Sequence, residues 1–140
     1  MGSINVKIKV EFNRFDEIRG RMRTRAGQVV RKTAFDIQRD YQQNARRDTG
    51  AQVNSAYVVT ANSSTYAQAA AEARQASPDI ELLREVALEA PFTAIVAVGA
   101  SYAVFNEYGS HGHAGDGAMT QAAASNRAPF RAAMSKLLDP

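Results

Sequence analysis

Cysteine is absent from the 140 residues. That excludes a disulfide scaffold, a cysteine-built zinc site and thiol catalysis, and it is compatible with a reducing compartment. No stretch approaches the roughly 18 apolar residues of a membrane span. The start, Met1-Gly2-Ser3-Ile4-Asn5, has no basic segment followed by an apolar run; a soluble protein without an ordinary secretion signal or a membrane partner is expected. Histidine is scarce: the two present, His111 and His113, crowd a glycine-rich stretch with Asp116. Without a third strong ligand set by a helix or strand they make an incomplete metal set, so neither metal nor cofactor is expected. Phosphate-cradling glycine loops, nucleophile elbows and histidine-helix metal motifs are missing as well. No catalytic centre, and hence no enzyme, is expected.

The dominant feature that is present runs from Asn13 to Arg47. Its apolar residues, Phe15, Ile18, Met22, Ala26, Val29, Val30, Ala34, Ile37, Tyr41 and Ala45, recur every three or four positions, the signature of one buried helix face. Asn13 is the expected N-cap, with Asp16 and Glu17 in the first turn and Arg46 and Arg47 at the far end, each sign where the helix dipole favours it. At ~1.5 Å per residue the helix is about 50 Å long, against a radius of gyration of roughly 14 Å for a domain of this size. It must therefore break, most cheaply at Gly20 or Gly27, or overhang and meet a partner.

This stretch holds ten basic and four acidic residues, and since the whole chain has net charge +3, the remainder carries −3. A cationic helix face is either a solvated surface or a contact for something acidic. Nucleic acid is one acidic candidate, but Phe15, Phe35 and Tyr41 lie on the apolar side of the helix and offer no stacking platform. Only a diffuse, non-specific contact with DNA fits.

Around the helix, Asn5 to Phe12 alternates strictly and reads as a half-buried strand; Gln52 to Asn62, rich in β-branched residues, and Phe92 to Gly99, almost wholly apolar, read as two more,. Between them Thr65 to Ala90 reads as an alanine-rich helix, a Ser77-Pro78 break and an acidic helix from Asp79 to Glu89,. Gly109 to Gly117 is a glycine-rich loop expected to be mobile or ordered by a neighbour. Met119 to Ser125 is weakly helical, and Ala128 to Leu138 is a terminal helix with Pro129 in its first turn. The sum is one α+β domain over residues 1–140: a small antiparallel sheet with the long amphipathic helix and the C-terminal helix packed on one face, and a helical excursion at 64–90. Tyr102, Phe105, Tyr108 and Phe130 are expected in the core.

Asp48-Thr49-Gly50 matches the short signature of aspartic proteases, but that chemistry needs a turn between apolar strands and a second carboxylate. Here a helix ends at the motif, and a structural stop is expected: Gly50 for its permissive backbone, Asp48 or Thr49 for local N–H groups.

Taken in order, the alternating strand, the long basic helix, Asp48-Thr49-Gly50 with Ser55 five residues on, Tyr102-Ala103 leading to Glu107-Tyr108-Gly109-Ser110, and Pro129-Phe130 opening a last helix resemble one family. It is that of the neck, or tail-component, proteins of long-tailed bacteriophages, typified by the gene-ten-like protein of lambdoid phages. Departures are Gln52, where the family usually has an aliphatic residue, Arg131-Ala132 after the Pro-Phe, and the long 65–90 connection. The resemblance implies a structural virion protein of the head–tail junction, made in the host bacterial cytoplasm. It would form a homo-oligomeric ring around the DNA channel beside other neck proteins: a head-completion or stopper protein, the tail terminator or the tail tube. The alternatives are a tail terminator capping the tube, or a cytosolic DNA-associated protein. The expected subunit contacts are Arg19, Arg23, Arg31 and Lys32 against Glu81, Glu85 and Glu89, with His111 and His113 on the glycine loop.

Overall fold

A computed structural model describes residues 4–9, 16–88, 90–110 and 112–137. In chain order the elements are β1 (Asn5–Lys9), α1 (Asp16–Asn44), α2 (Ala51–Asn54), β2 (Ala56–Thr60), α3 (Tyr66–Ala76), β3 (Thr93–Val98), α4 (Ala103–Tyr108), β4 (Gly109–Ser110), β5 (His113–Ala114), α5 (Ala118–Ser125) and α6 (Arg127–Lys136). The expected N-cap Asn13, the strand end Val10 to Phe12, and Arg14, Phe15, Glu89, His111 and Leu138 lie outside the described residues.

The fold is α+β. The three main strands form an antiparallel sheet in the order β1-β3-β2, with Val6 opposite Val96 and Val58 opposite Val96 from the other side. The period-two rule explains its two coats. Val6, Ile8, Ala56, Val58, Ala94, Val96 and Val98 face Val30, Ala34, Ile37 and Tyr41 of α1 and Met119 and Ala122 of α5. Tyr57, Val59, Ile95 and Ala97 face the other way, onto Ala69 of α3 and onto Val86 and Leu88. The C-terminal helices thus share the long helix's side, while the excursion coats the opposite face.

The stretch from Asp79 to Glu89 is not a helix. Its described part runs as an irregular strap, with Leu82 bridged to Ala100. Its backbone bonds go to other elements: Leu83 N–H donates to the Gly99 carbonyl (2.7 Å) and Ser101 N–H to the Glu81 carbonyl (3.0 Å), and the Tyr66 hydroxyl donates to the Leu83 carbonyl (2.7 Å). Tertiary partners outcompete the i−4 ladder that the apolar spacing suggested. The second strand also begins later than expected, because Ala51 to Asn54 form one helical turn first.

Helix α1 is unbroken over 29 residues, about 43 Å at ~1.5 Å per residue. Among the described side chains its fully buried stripe starts at Ala26, and those from Arg19 to Arg25 are exposed or half-buried. Neither Gly20 nor Gly27 breaks it, and a Cβ added at either meets nothing within 4 Å. Gly27→Ala is therefore expected to raise stability by about 0.5–1 kcal/mol, read as a higher urea midpoint at unchanged slope.

Candidate functional site

The sequence motifs converge where α1 ends. Arg47 donates from its guanidinium to the Gln42 carbonyl (3.0 Å), satisfying one of the helix's last carbonyls. Gly50 then takes φ 88°, a left-handed conformation that glycine adopts cheaply, and Ala51 N–H donates to Thr49 Oγ1 (3.2 Å). Asp48 and Thr49 are exposed. Ser55 is fully buried: its hydroxyl donates to the Gln52 carbonyl (2.6 Å) and accepts from Ala100 N–H (3.0 Å). These two bonds tie α2 to the end of β3.

Gln52 is the centre of a buried polar chain. Its Nε2 donates to the Tyr41 hydroxyl (2.7 Å), and its Oε1 accepts from Asn106 Nδ2. Burial, opposed by that Gln52 bond and reinforced by Asp116 and Glu107, pushes the Tyr41 hydroxyl far above its ordinary range. The sign follows from linkage. An unfolded tyrosine loses its proton near pH 10 while folded Tyr41 keeps it, so its stability contribution is complete below about pH 10 and declines as pH rises beyond. Tyr57, raised chiefly by burial, adds in the same direction. Tyr41→Phe strands the Gln52 amide and is expected to cost about 1–3 kcal/mol at pH 7. It should also flatten the alkaline loss by about 1.4 kcal/mol per pH unit, which urea titrations from pH 7 to 11 check.

Glu107 is buried and faces inward from α4. Its carboxylate accepts from Met119 N–H (2.8 Å), Thr120 N–H (3.0 Å) and Thr120 Oγ1 (2.6 Å), capping α5 where a helix N-terminus favours negative charge. Asp116 accepts from Arg46 N–H (3.0 Å) and from Ala118 N–H (3.1 Å), clamping the end of α1 to the same helix start. In the glycine stretch Gly109–Ser110 pairs with His113–Ala114 as the strands of a short β4–β5 hairpin. A Cβ on Gly109 would lie 2.5 Å from the His113 carbonyl oxygen and one on Gly115 2.2 Å from that of Glu107, so only glycines let the hairpin press against α4.

With Ala103 and Glu107 turned inward, α4 turns its aromatics outward. Tyr102 is 39% exposed, Phe105 43% and Tyr108 71%, at spacings of three that align them along one side. The expectation that they join the core is overturned: buried Ala103 and the Glu107 cap occupy the inner face. Phe130 is half-buried, packed against the core rather than within it, and Pro129 is exposed in the first turn of α6. A cleft of about 680 Å³ adjoins the ridge, lined among others by Arg46, Arg47, Asp48, Gln52, Tyr102 and Asn106. Burial and the nearby Asp48 charge raise the Tyr102 hydroxyl.

The expected charged contacts fare differently. Arg23 lies over the Phe92 ring (5.9 Å) and Arg31 over Phe35 (5.2 Å); Arg31 also donates to Ser63 Oγ (3.0 Å), and Lys32 pairs with Asp36 (2.6 Å). Arg19 is half-buried in the first turns of α1. Glu85 accepts from Ser64 (2.7 Å), so Arg31 and Glu85 grip successive serines of one turn within the chain. Glu81 and His113 are exposed. Among the described residues no three His, Asp or Glu side chains form a group able to hold a metal ion, and no helix is long and apolar enough to cross a membrane. Sequence reading missed the Gln52–Asn106 link and the outward set of α4; the one available signal was Glu107, an acidic residue on the side that small Ala103 marks as inner.

No protein-family model, curated protein or solved structure matches the chain.

Proposed function

We propose that this chain is a structural, non-enzymatic virion protein of the head–tail junction of a tailed bacteriophage, built to assemble as a ring around the DNA channel. The observation that carries the reading is the aromatic ridge of α4. Three large aromatics stand outward on a helix braced from behind by Glu107 and the Gln52–Asn106 link. Rigid aromatics of this kind are what protein interfaces concentrate, since they bring large contact area at small entropic cost.

The polar groups favour assembly over chemistry. Ser55, Glu107 and Asp116 are spent on holding helix ends together, and exposed Asp48 has no carboxylate partner among the bonds and ion pairs of the described residues. The order of short motifs resembling phage neck proteins supports the placement in the virion, together with the neighbours it implies: head-completion or stopper proteins on one side and the tail terminator or tube on the other. Deleting the gene from the genome that encodes it is expected to leave filled heads and finished tails unjoined, with joining restored by the gene in trans. Infectious particles of normal yield without it would overturn the proposal.

A further inference from the structure

Of the nine glycines in the sequence one, Gly117, follows an aspartate, and none follows an asparagine. Aspartate before glycine is the pair most open to attack of the backbone on the side-chain carboxyl, because a residue without a Cβ leaves the approach unobstructed. The fold places this half-buried pair where α1, α4 and α5 meet and gives every backbone polar group of it a partner. Asp116 N–H donates to the Asn106 carbonyl (2.7 Å) and Gly117 N–H to the Glu107 carbonyl (3.1 Å). Their own carbonyls accept from Gln121, that of Asp116 from Nε2 (3.4 Å) and that of Gly117 from the backbone N–H (2.9 Å). The Asp116 carboxylate is held from two sides, by Arg46 N–H and Ala118 N–H.

Independently of the assembly reading, we infer that Asp116–Gly117 is a site of spontaneous covalent modification gated by this junction: isoaspartate forms there when the junction opens locally and, once formed, keeps it from closing. The step needs no partner but water. The Gly117 nitrogen attacks Asp116 Cγ; a C–N bond forms as the C–OH bond breaks, and the amide hydrogen leaves with the hydroxyl as water. The five-membered succinimide then takes one water back. Addition at the γ carbonyl restores aspartate, whereas addition at the α carbonyl routes the chain through Cβ and Cγ as isoaspartate. In the closed junction the hydrogen of the attacking nitrogen is committed to Glu107 and both carboxylate oxygens to backbone donors, so neither reactant is free. The lock is local: the β4–β5 hairpin beside it has only two residues per strand, and short elements of this kind open at less cost than the whole domain. The carboxylate of isoaspartate sits directly on Cα, one bond short of its old place, and no longer spans Arg46 and Ala118 together.

Native protein and a synthetic peptide spanning residues 112–121 are incubated side by side at neutral pH. Isoaspartate at residue 116 is read from chromatographically resolved peptides of equal mass and their electron-transfer fragments, which keep it distinct from deamidation at an asparagine. The native chain is expected to convert at least roughly tenfold more slowly than the peptide, about 1.4 kcal/mol of protection. Glu107→Ala, which loosens the start of α5, should convert faster than the native chain. It should also outpace Val58→Ala, a truncation of a buried sheet residue, with the two brought to equal global stability by urea. Where Glu107→Ala does not fold, Glu107→Gln takes its place. Native conversion at the peptide's rate overturns the lock. Equal rates in the two variants at matched stability overturn the local gate, since the reaction then runs through unfolding of the whole chain. The isolated isoaspartyl protein should melt below the unmodified chain, and equal melting overturns the claim that the lesion keeps the junction open.

Discussion

Glu107→Ala should destabilise the protein by about 2–4 kcal/mol, a large share of the roughly 5–15 kcal/mol that holds a domain folded. The carboxylate receives three hydrogen bonds at the start of α5. Bonds to charged acceptors contribute about 1.5–3 kcal/mol each, but the losses differ by site. Thr120 is exposed, so water replaces what Glu107 gave its N–H and hydroxyl. Met119 is 1% exposed, and its N–H is left without any acceptor, which carries the full desolvation cost. Glu107→Gln keeps one carbonyl acceptor and should recover part of the loss. Urea unfolding measures both; an alanine variant within 0.5 kcal/mol of wild type, the range of an ordinary surface change, would mean that α5 does not depend on this cap.

On the ring reading, Phe105→Glu should leave the monomer folded, with at most a modestly lower melting temperature, and remove the proposed self-association. Phe105 sits in the middle of the ridge, 43% exposed, so a carboxylate there stays hydrated in the free chain. In an assembly it would be buried against another subunit, and taking one charge out of water costs several kcal/mol. Losing a central aromatic at an interface costs about 2–4 kcal/mol, which weakens association some 30- to 1,000-fold. Sedimentation velocity over a concentration series reads the shift. Unchanged association would make the ridge a wetted surface and place the interface elsewhere on the molecule.

The contrast between these two residues also shows how far the sequence could be read. Strict alternation located β1, and an uninterrupted apolar run located β3, because each pattern admits one answer once a sheet is present. The periodicity of α1 was equally plain, and Gly27 did not break it because packing from Ala26 onward holds the helix there. The acidic strap was misread since Ile80, Leu83 and Val86 fall at helical spacing, while the deciding bonds run to Gly99, Ser101 and Tyr66, which no local window contains. In α4 both faces carry apolar residues, so hydrophobicity could not tell inside from outside; a carboxylate turned inward to cap another helix did. The motif residues were legible as a set, but their roles as helix stop, hinge tie and cap emerge only when α1, α4 and α5 meet.

Cryo-electron microscopy of the neck of the virion that carries this chain tests the central claim most directly. The expected result is a ring of identical subunits between portal and tail tube, each with this fold, and with Tyr102, Phe105 and Tyr108 buried against the adjacent copy. A neck in which this fold is absent, or in which the α4 aromatics face solvent while the subunits meet elsewhere, would contradict it.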